Sequence, residues 1–271
     1  MVTLKRFFYL KTLLLFIILV GCGGREHRTS THIVEDPTDS ATISSQKMPI
    51  INIYIENSGS MNGFINKKSE FQDAIQNMIA LLKFHYHEDN IKLNYINSEI
   101  MLQSHHDDLI DFVENMLNPA RFKTTGRTGS TDLNEIYKMI LAASNDSTIS
   151  IMVSDCIFSI SGNGTTETLL NEQKNKVIDF FLSKAKESYP EFIATTFVQL
   201  ESHFSGSYWD YKHPVGKASQ ELDCLRPYFM TIIGKDELIH DFNSKYELKG
   251  MTGYKNRYSL STAKTEEPYY D

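Results

Sequence analysis

Between Ile50 and Met61 the chain reads I-I-N-I-Y-I-E-N-S-G-S-M. The nearly unbroken apolar run fits a strand buried on both faces. It stops abruptly at a carboxylate, followed by two hydroxyls spaced two residues apart around a glycine. A buried strand that hands Glu56, Ser58 and Ser60 to a tight turn is a place to hold a hard cation, because such ions take oxygen ligands. Two later stretches look built to complete it. Gly129-Ser130-Thr131-Asp132-Leu133 opens a helical pattern, and Ile149 to Asp155 (I-S-I-M-V-S-D) is a second apolar strand ending in a carboxylate. Glu56, Ser58, Ser60, Thr131 and Asp155 are all oxygen donors.

The segments between these motifs alternate in period. Phe71, Ile75, Met78 and Leu82 recur at helical spacing within residues 68–86. Ile91 to Asn97 reads as a strand, and Glu99 to Gln103 as a short antiparallel edge. Leu109 to Leu117 is helical and ends before Pro119. The loop Asn118 to Ser130 carries Arg121, Lys123 and Arg127 into Thr131. Helices follow from Leu133 and over Leu169 to Tyr189. Phe192 to Leu200 and Tyr228 to Gly234 are two more strands, the second leading into a helix with Leu238, Ile239 and Phe242. Strands alternating with helices predict an α/β fold, a single doubly wound, mostly parallel sheet flanked by helices, with one short antiparallel edge strand. Ligands of such sheets collect at the carboxyl ends of the strands. The connection after Leu200 emerges there and holds Phe204, Tyr208, Trp209 and Tyr211. With Arg127, residues Tyr208, Trp209 and Tyr211 are expected to form a partner-binding rim; the alternative is that these rings pack down on neighbouring elements.

The order Glu56-x-Ser58-x-Ser60, then Thr131, then Asp155 resembles the von Willebrand factor A (vWA) family, whose metal-ion-dependent adhesion site is D-x-S-x-S, a Thr and an Asp. The departure is Glu56, one methylene longer than the family's Asp. The resemblance spans roughly Pro49 to Tyr246 and implies a Rossmann-like sheet. It further implies Mg²⁺ or Mn²⁺ held directly by Ser58, Ser60 and Thr131, with Glu56 and Asp155 acting largely through water or through the serines. A protein partner would offer a carboxylate to the open position. Such a site binds rather than cleaves. A domain that keeps these residues as turn formers without metal, a scaffold subunit of an envelope complex, is the alternative.

The ends of the chain concern location. Lys5, Arg6 and Lys11 precede the apolar run Leu13 to Val20, and Leu19-Val20-Gly21-Cys22 matches the bacterial lipobox. Residues 1–21 therefore read as a signal peptide and Cys22 as a lipidated N-terminus, which puts the protein on a membrane of the cell envelope. Residues 22–48 are polar, with one proline, and read as a flexible tether spanning roughly 30 Å. Residues 49–246 form the domain, and 247–271 a tail that packs as an extra edge segment or stays mobile.

Composition excludes some classes. Residues 1–21 hold three basic and no acidic residues, so 27 basic against 34 acidic becomes 24 against 34 in the mature chain, a net of −10. A chain this acidic is a poor match for nucleic acid, whose binding rests on phosphate neutralisation. Cys156 and Cys224 either pair or remain two separate thiols, since connectivity is not read from sequence. N-S-G-S-M lacks the G-x-S-x-G nucleophile elbow, and Gly126 to Thr131 lacks the G-x-x-x-x-G-K spacing of a phosphate loop. No enzyme is expected, and an envelope hydrolase is the weaker alternative. His85, His87, His105 and His106 with their acidic neighbours read as solvated helix ends and loops.

Overall fold

In the computed structural model the described residues are 48–103, 114–115, 117–126, 132–157, 166–187, 193–208, 219–261 and 269–270. Strand β1 (Ile50–Glu56) lies between two parallel neighbours, β2 (Ile91–Ile96) and β4 (Thr148–Ser154), as its two-sided apolar sequence requires. The short β3 (Ile100–Leu102) pairs antiparallel with β2, at the edge where it was expected.

Alternation along β1 divides the core between the two faces. Ile51, Ile53 and Ile55 pack with Phe71, Ile75, Met78, Ile79 and Leu82 of helix α1 (Glu70–His85), and on the same face lie Ile239 and Phe242 of helix α5 (Asp236–Lys245). Tyr54, Met152 and Ile233 face the other way. There they meet Ile136, Tyr137 and Ile140 of helix α3 (Leu133–Ala143) and Val177, Phe181 and Ala185 of helix α4 (Thr166–Glu187). Each fully buried aliphatic or aromatic side chain contributes about 1.5–3 kcal/mol over its exposed state. The one-turn helix α2 (Pro119–Phe122) has Pro at its start, where no N–H is needed, and inserts Phe122 edge-on to Tyr95 at 5.5 Å.

The strand order is β3-β2-β1-β4-β6-β5-β7-β8 in one mixed sheet, where β5 is Ile193–Tyr208, β6 Gln220–Lys235, β7 Tyr254–Ser261 and β8 Tyr269–Tyr270. The expected α/β class and single helix-flanked sheet stand, but the parallel part is confined to β1 with β2 and β1 with β4 among the described pairings, and the sheet is antiparallel at its other end. Strand β5 (Ile193–Tyr208) does not end at Leu200. It runs on through the residues assigned to an aromatic loop and pairs in continuous antiparallel register with β6 (Gln220–Lys235). The physical cause is a period-two pattern: Val198, Leu200, Ser202 and Phe204 are buried while Gln199, Glu201, His203 and Ser205 between them are not. Strands joined as a hairpin are antiparallel neighbours, so β6 fits between β4 and β5 and pairs with both.

Strand β7 (Tyr254–Ser261) adds antiparallel to β5, and β8 (Tyr269–Tyr270) to β7, so part of the expected tail belongs to the sheet. The turn into β7 uses Gly253 at φ 79°, whose carbonyl accepts from the Glu201 N–H at 2.8 Å. The signal peptide, Cys22 and nearly all of the tether lie outside the described residues, as does most of the helix expected over 109–117. Among the described residues, no helix is long and apolar enough to cross a membrane.

Candidate functional site

The carboxyl ends of β1 and β4 lie side by side, with Ile55 opposite Val153. That register brings Glu56 to Ser154, whose hydroxyl donates to Glu56 Oε2 and whose oxygen also accepts the Cys156 N–H at 2.8 Å. Beyond Glu56 the chain turns at Asn57 and Ser58 into a 3-10 turn, Gly59–Phe64. The Ser58 and Ser60 hydroxyls are hydrogen-bonded at 3.1 Å. Asp155 follows β4 directly. Its N–H donates to Met61 Sδ at 3.2 Å, its Oδ1 accepts the Ile157 N–H at 3.2 Å, and the Ser60 hydroxyl bonds its carboxylate. Four of the five expected metal-site residues, Glu56, Ser58, Ser60 and Asp155, are therefore gathered at one strand-end corner. Thr131 lies outside the described residues, as do Arg127, Trp209 and Tyr211 of the expected rim.

Two residues that the sequence pattern did not single out complete the corner. Asn57 is fully buried. Its amide donates to the Phe122 carbonyl at 3.2 Å and the Thr125 carbonyl at 2.7 Å, and its carbonyl accepts from Asn97 at 2.9 Å. It ties the end of β1 to the loop that leads towards Thr131. The second is Arg226. Residue Ser154 is opposite Phe229, so β6 residues before Phe229 run past the end of β4 and, with the end of β5, form a two-stranded ribbon over the site. From that ribbon Arg226 Nη2 reaches to 3.8 Å from Asp155 Oδ2, with side-chain exposures of only 11% and 1%.

The guanidinium is enclosed by rings. Its carbon lies 4.2 Å from the Tyr208 centroid, 4.6 Å from Phe204 and 5.7 Å from Phe64. Ring faces attract such a cation most strongly when water is excluded. Phe204, expected in an exposed loop, is fully buried, edge-on to Phe64 at 5.1 Å, and Tyr208 is half-buried against the arginine. These two rings pack down rather than standing clear. Full burial pushes the Asp155 carboxyl up from its ordinary range, while Arg226, the Ile157 N–H and the Ser60 hydroxyl work against that rise. The neighbouring Cys156 thiol, at φ 53°, is also pushed up by burial, to about 12. Cys156 and Cys224 are free thiols, the second exposed.

As a metal site the described donors are incomplete. The Ser58–Ser60 pair and Asp155 match half of an octahedral oxygen set. Glu56, however, is engaged by Ser154, and the cation facing Asp155 Oδ2 is a guanidinium. Among the described residues, no three His, Cys, Asp or Glu side chains gather as metal ligands. Nor does any histidine hydrogen-bond to Ser58, Ser60 or Ser154 among them. His203 instead pairs with Asp223 across the ribbon, and His87 with Asp89 at the surface. A serine nucleophile would need such a base.

The chain matches no protein-family model, no curated protein and no solved structure with which it was compared.

Proposed function

We propose that this chain is a lipid-anchored protein of the bacterial envelope, carrying one vWA-like, Rossmann-like domain that binds a protein partner at the carboxyl edge of its parallel strands. The observation that carries the reading is the gathering of Glu56, Ser58, Ser60 and Asp155 at the ends of β1 and β4 beneath the β5–β6 ribbon. The order β3-β2-β1-β4 with an antiparallel β3 supports the family likeness, and the lipobox at Cys22 supports the location. The favoured form of the domain works without a metal, because a built-in cation already faces Asp155.

A photo-crosslinking amino acid at Ser207 of the ribbon, compared with one at Lys176 on α4, tests the binding face in cells of the source bacterium. The reading expects one discrete adduct from position 207, lost on Trp209→Ala, and none from 176. Equal capture from both positions would refute it. Cys22→Ser should abolish labelling by a palmitate analogue.

A second reading keeps the expected Mg²⁺ or Mn²⁺. It is favoured by Asp155 Oδ2, a buried oxygen with no hydrogen-bond donor among the described residues, beside two serine hydroxyls. Calorimetric titration of the soluble form beginning at Lys47, with Ser58→Ala as control, tests it. Saturable binding that the substitution abolishes would favour the metal.

A further inference from the structure

The charge balance inside the site points to a specific occupant. The Asp155 side chain is 1% exposed, and Oδ2 has no hydrogen-bond donor among the described residues. A buried carboxylate in that state needs a positive charge beside it or loses its own. Among the described residues Arg226 is the cation within reach, and one of its own nitrogens, Nη1, is buried without a hydrogen-bond partner among them. The guanidinium is therefore held by Asp155 and by the three rings rather than by a full set of acceptors. Tyr208, Phe204 and Phe64 supply the favourable contacts that replace lost water.

The arginine is also fixed from behind. Arg226 lies in register with Ser202. The Ser202 oxygen accepts the Phe71 N–H at 3.0 Å and its hydroxyl donates to Glu70 at 3.2 Å, which staples the base of the ribbon to the start of α1. Higher up, the Phe204 ring lies against Gly63, where a side chain's first carbon would come within 2.3 Å of ring atoms. The ribbon thus sits hard on the 3-10 turn that carries Ser60, and Arg226 is held over that turn by its ring contacts. A divalent ion placed against Asp155, through water or through the serine hydroxyls, would share that pocket with a guanidinium 3.8 Å from the same carboxylate. Two positive charges in one water-poor pocket repel strongly.

We infer that Arg226 is the resident cation of this site: its guanidinium stands where a D-x-S-x-S site holds a divalent ion, and a divalent ion binds at Ser58, Ser60 and Asp155 only when that guanidinium is removed. The inference concerns the charge inside the site and holds or fails whether or not the ribbon is where a partner docks. It makes Arg226 a positioning residue, acting through Asp155 and the serine turn.

The test is Mn²⁺ titration, read by the loss of the free-ion electron paramagnetic resonance signal, on the soluble form beginning at Lys47. Wild type, Arg226→Gln, and Arg226→Gln with Ser58→Ala are compared. Arg226→Met, which keeps the stem against the rings, replaces Arg226→Gln if that protein does not fold. The expected result is at least tenfold tighter Mn²⁺ binding in the Arg226 variant than in wild type, lost again with Ser58→Ala. Wild type binding Mn²⁺ as tightly as the variant overturns the inference, and so does a folded Arg226 variant that binds none. A metal-free readout runs beside it: urea unfolding of Asp155→Asn, Arg226→Gln and the double variant. Midpoint losses in the double clearly smaller than the sum of the singles are expected for a charge and its counter-charge. Additive losses overturn the pairing.

Discussion

Gly63→Ala probes how tightly the ribbon is seated on the serine turn. The new carbon would lie 2.3 Å from two Phe204 ring atoms and 2.6 Å from a third, where ordinary contact begins near 3.4 Å. The ring must retreat by about 1 Å or the turn must move, and neither is free to do so. Phe204 is fully buried, with Phe64 edge-on at 5.1 Å on one side and the Arg226 guanidinium at 4.6 Å on another. Overpacking a dense core costs about 1–3 kcal/mol, and disturbing a desolvated cation–ring contact adds about 0.5–2 kcal/mol. The expected loss is therefore about 1.5–5 kcal/mol, read as a fall in urea midpoint at unchanged slope. Gly250→Ala is the control, since the added carbon there meets nothing within 4 Å, and its effect should stay within about 0.5 kcal/mol. Combining Gly63→Ala with Phe204→Leu should cost less than the sum of the two, because the smaller side chain makes room. If Gly63→Ala unfolds within 0.5 kcal/mol of the Gly250→Ala control, the ribbon is not seated as described.

Gly253→Ala should destabilise by at least about 2 kcal/mol in thermal melts, because φ is 79° there and the new carbon would lie 2.1 Å from the Glu201 carbonyl oxygen. Asn57→Ala removes two donated bonds and one accepted bond from a fully buried side chain, and about 2–4 kcal/mol of urea stability should go with them. In the native soluble form beginning at Lys47, a thiol-specific disulfide reagent at pH 8 should modify Cys224 alone, because Cys224 is exposed whereas Cys156 is only partly exposed with its pKa pushed up to about 12. Cys224→Ser should then abolish the reaction. The same shift fixes a sign: the raised Cys156 contributes stability that is complete below the unfolded thiol value, about 8.5, and lost as pH rises towards 12. Glu70 behaves oppositely. Its carboxylate accepts the His203 N–H, which holds its pKa low. It contributes stability that is present above about pH 4.3 and lost as pH falls through the lower folded value, so Glu70→Gln should flatten the acid limb of a stability–pH curve.

The first half of the chain was legible because its signals are local. The run of β1, the helical stripe of α1 and the carboxylates that end β1 and β4 are each visible within a short window. Parallel pairing of β1, β2 and β4 follows from their two-sided apolar character. The second half misled because the residues after Leu200, with Phe204, Tyr208, Trp209 and Tyr211 among them, read together as an aromatic connection, although the alternation through Val198, Leu200, Ser202 and Phe204 was available. Once β5 ends at Leu200, β6 no longer reads as its hairpin mate and the sheet is drawn parallel. Arg226 was invisible for a related reason. A single arginine in a half-polar strand carries no motif, and only the register of Arg226 with Ser202 brings it over Asp155. Asn57 was passed over as the spacer between Glu56 and Ser58, because a buried amide announces itself only through its partners.

The position of β6 between β4 and β5 sets an order of assembly. Until residue 235 has joined the folding chain, the side of β4 that β6 covers has no neighbour, and β5 joins the parallel half of the sheet only through β6. A chain cut short after β4 would present that unpaired edge, a template for pairing with other chains. Loss of the last strands should thus produce aggregates rather than a smaller working domain.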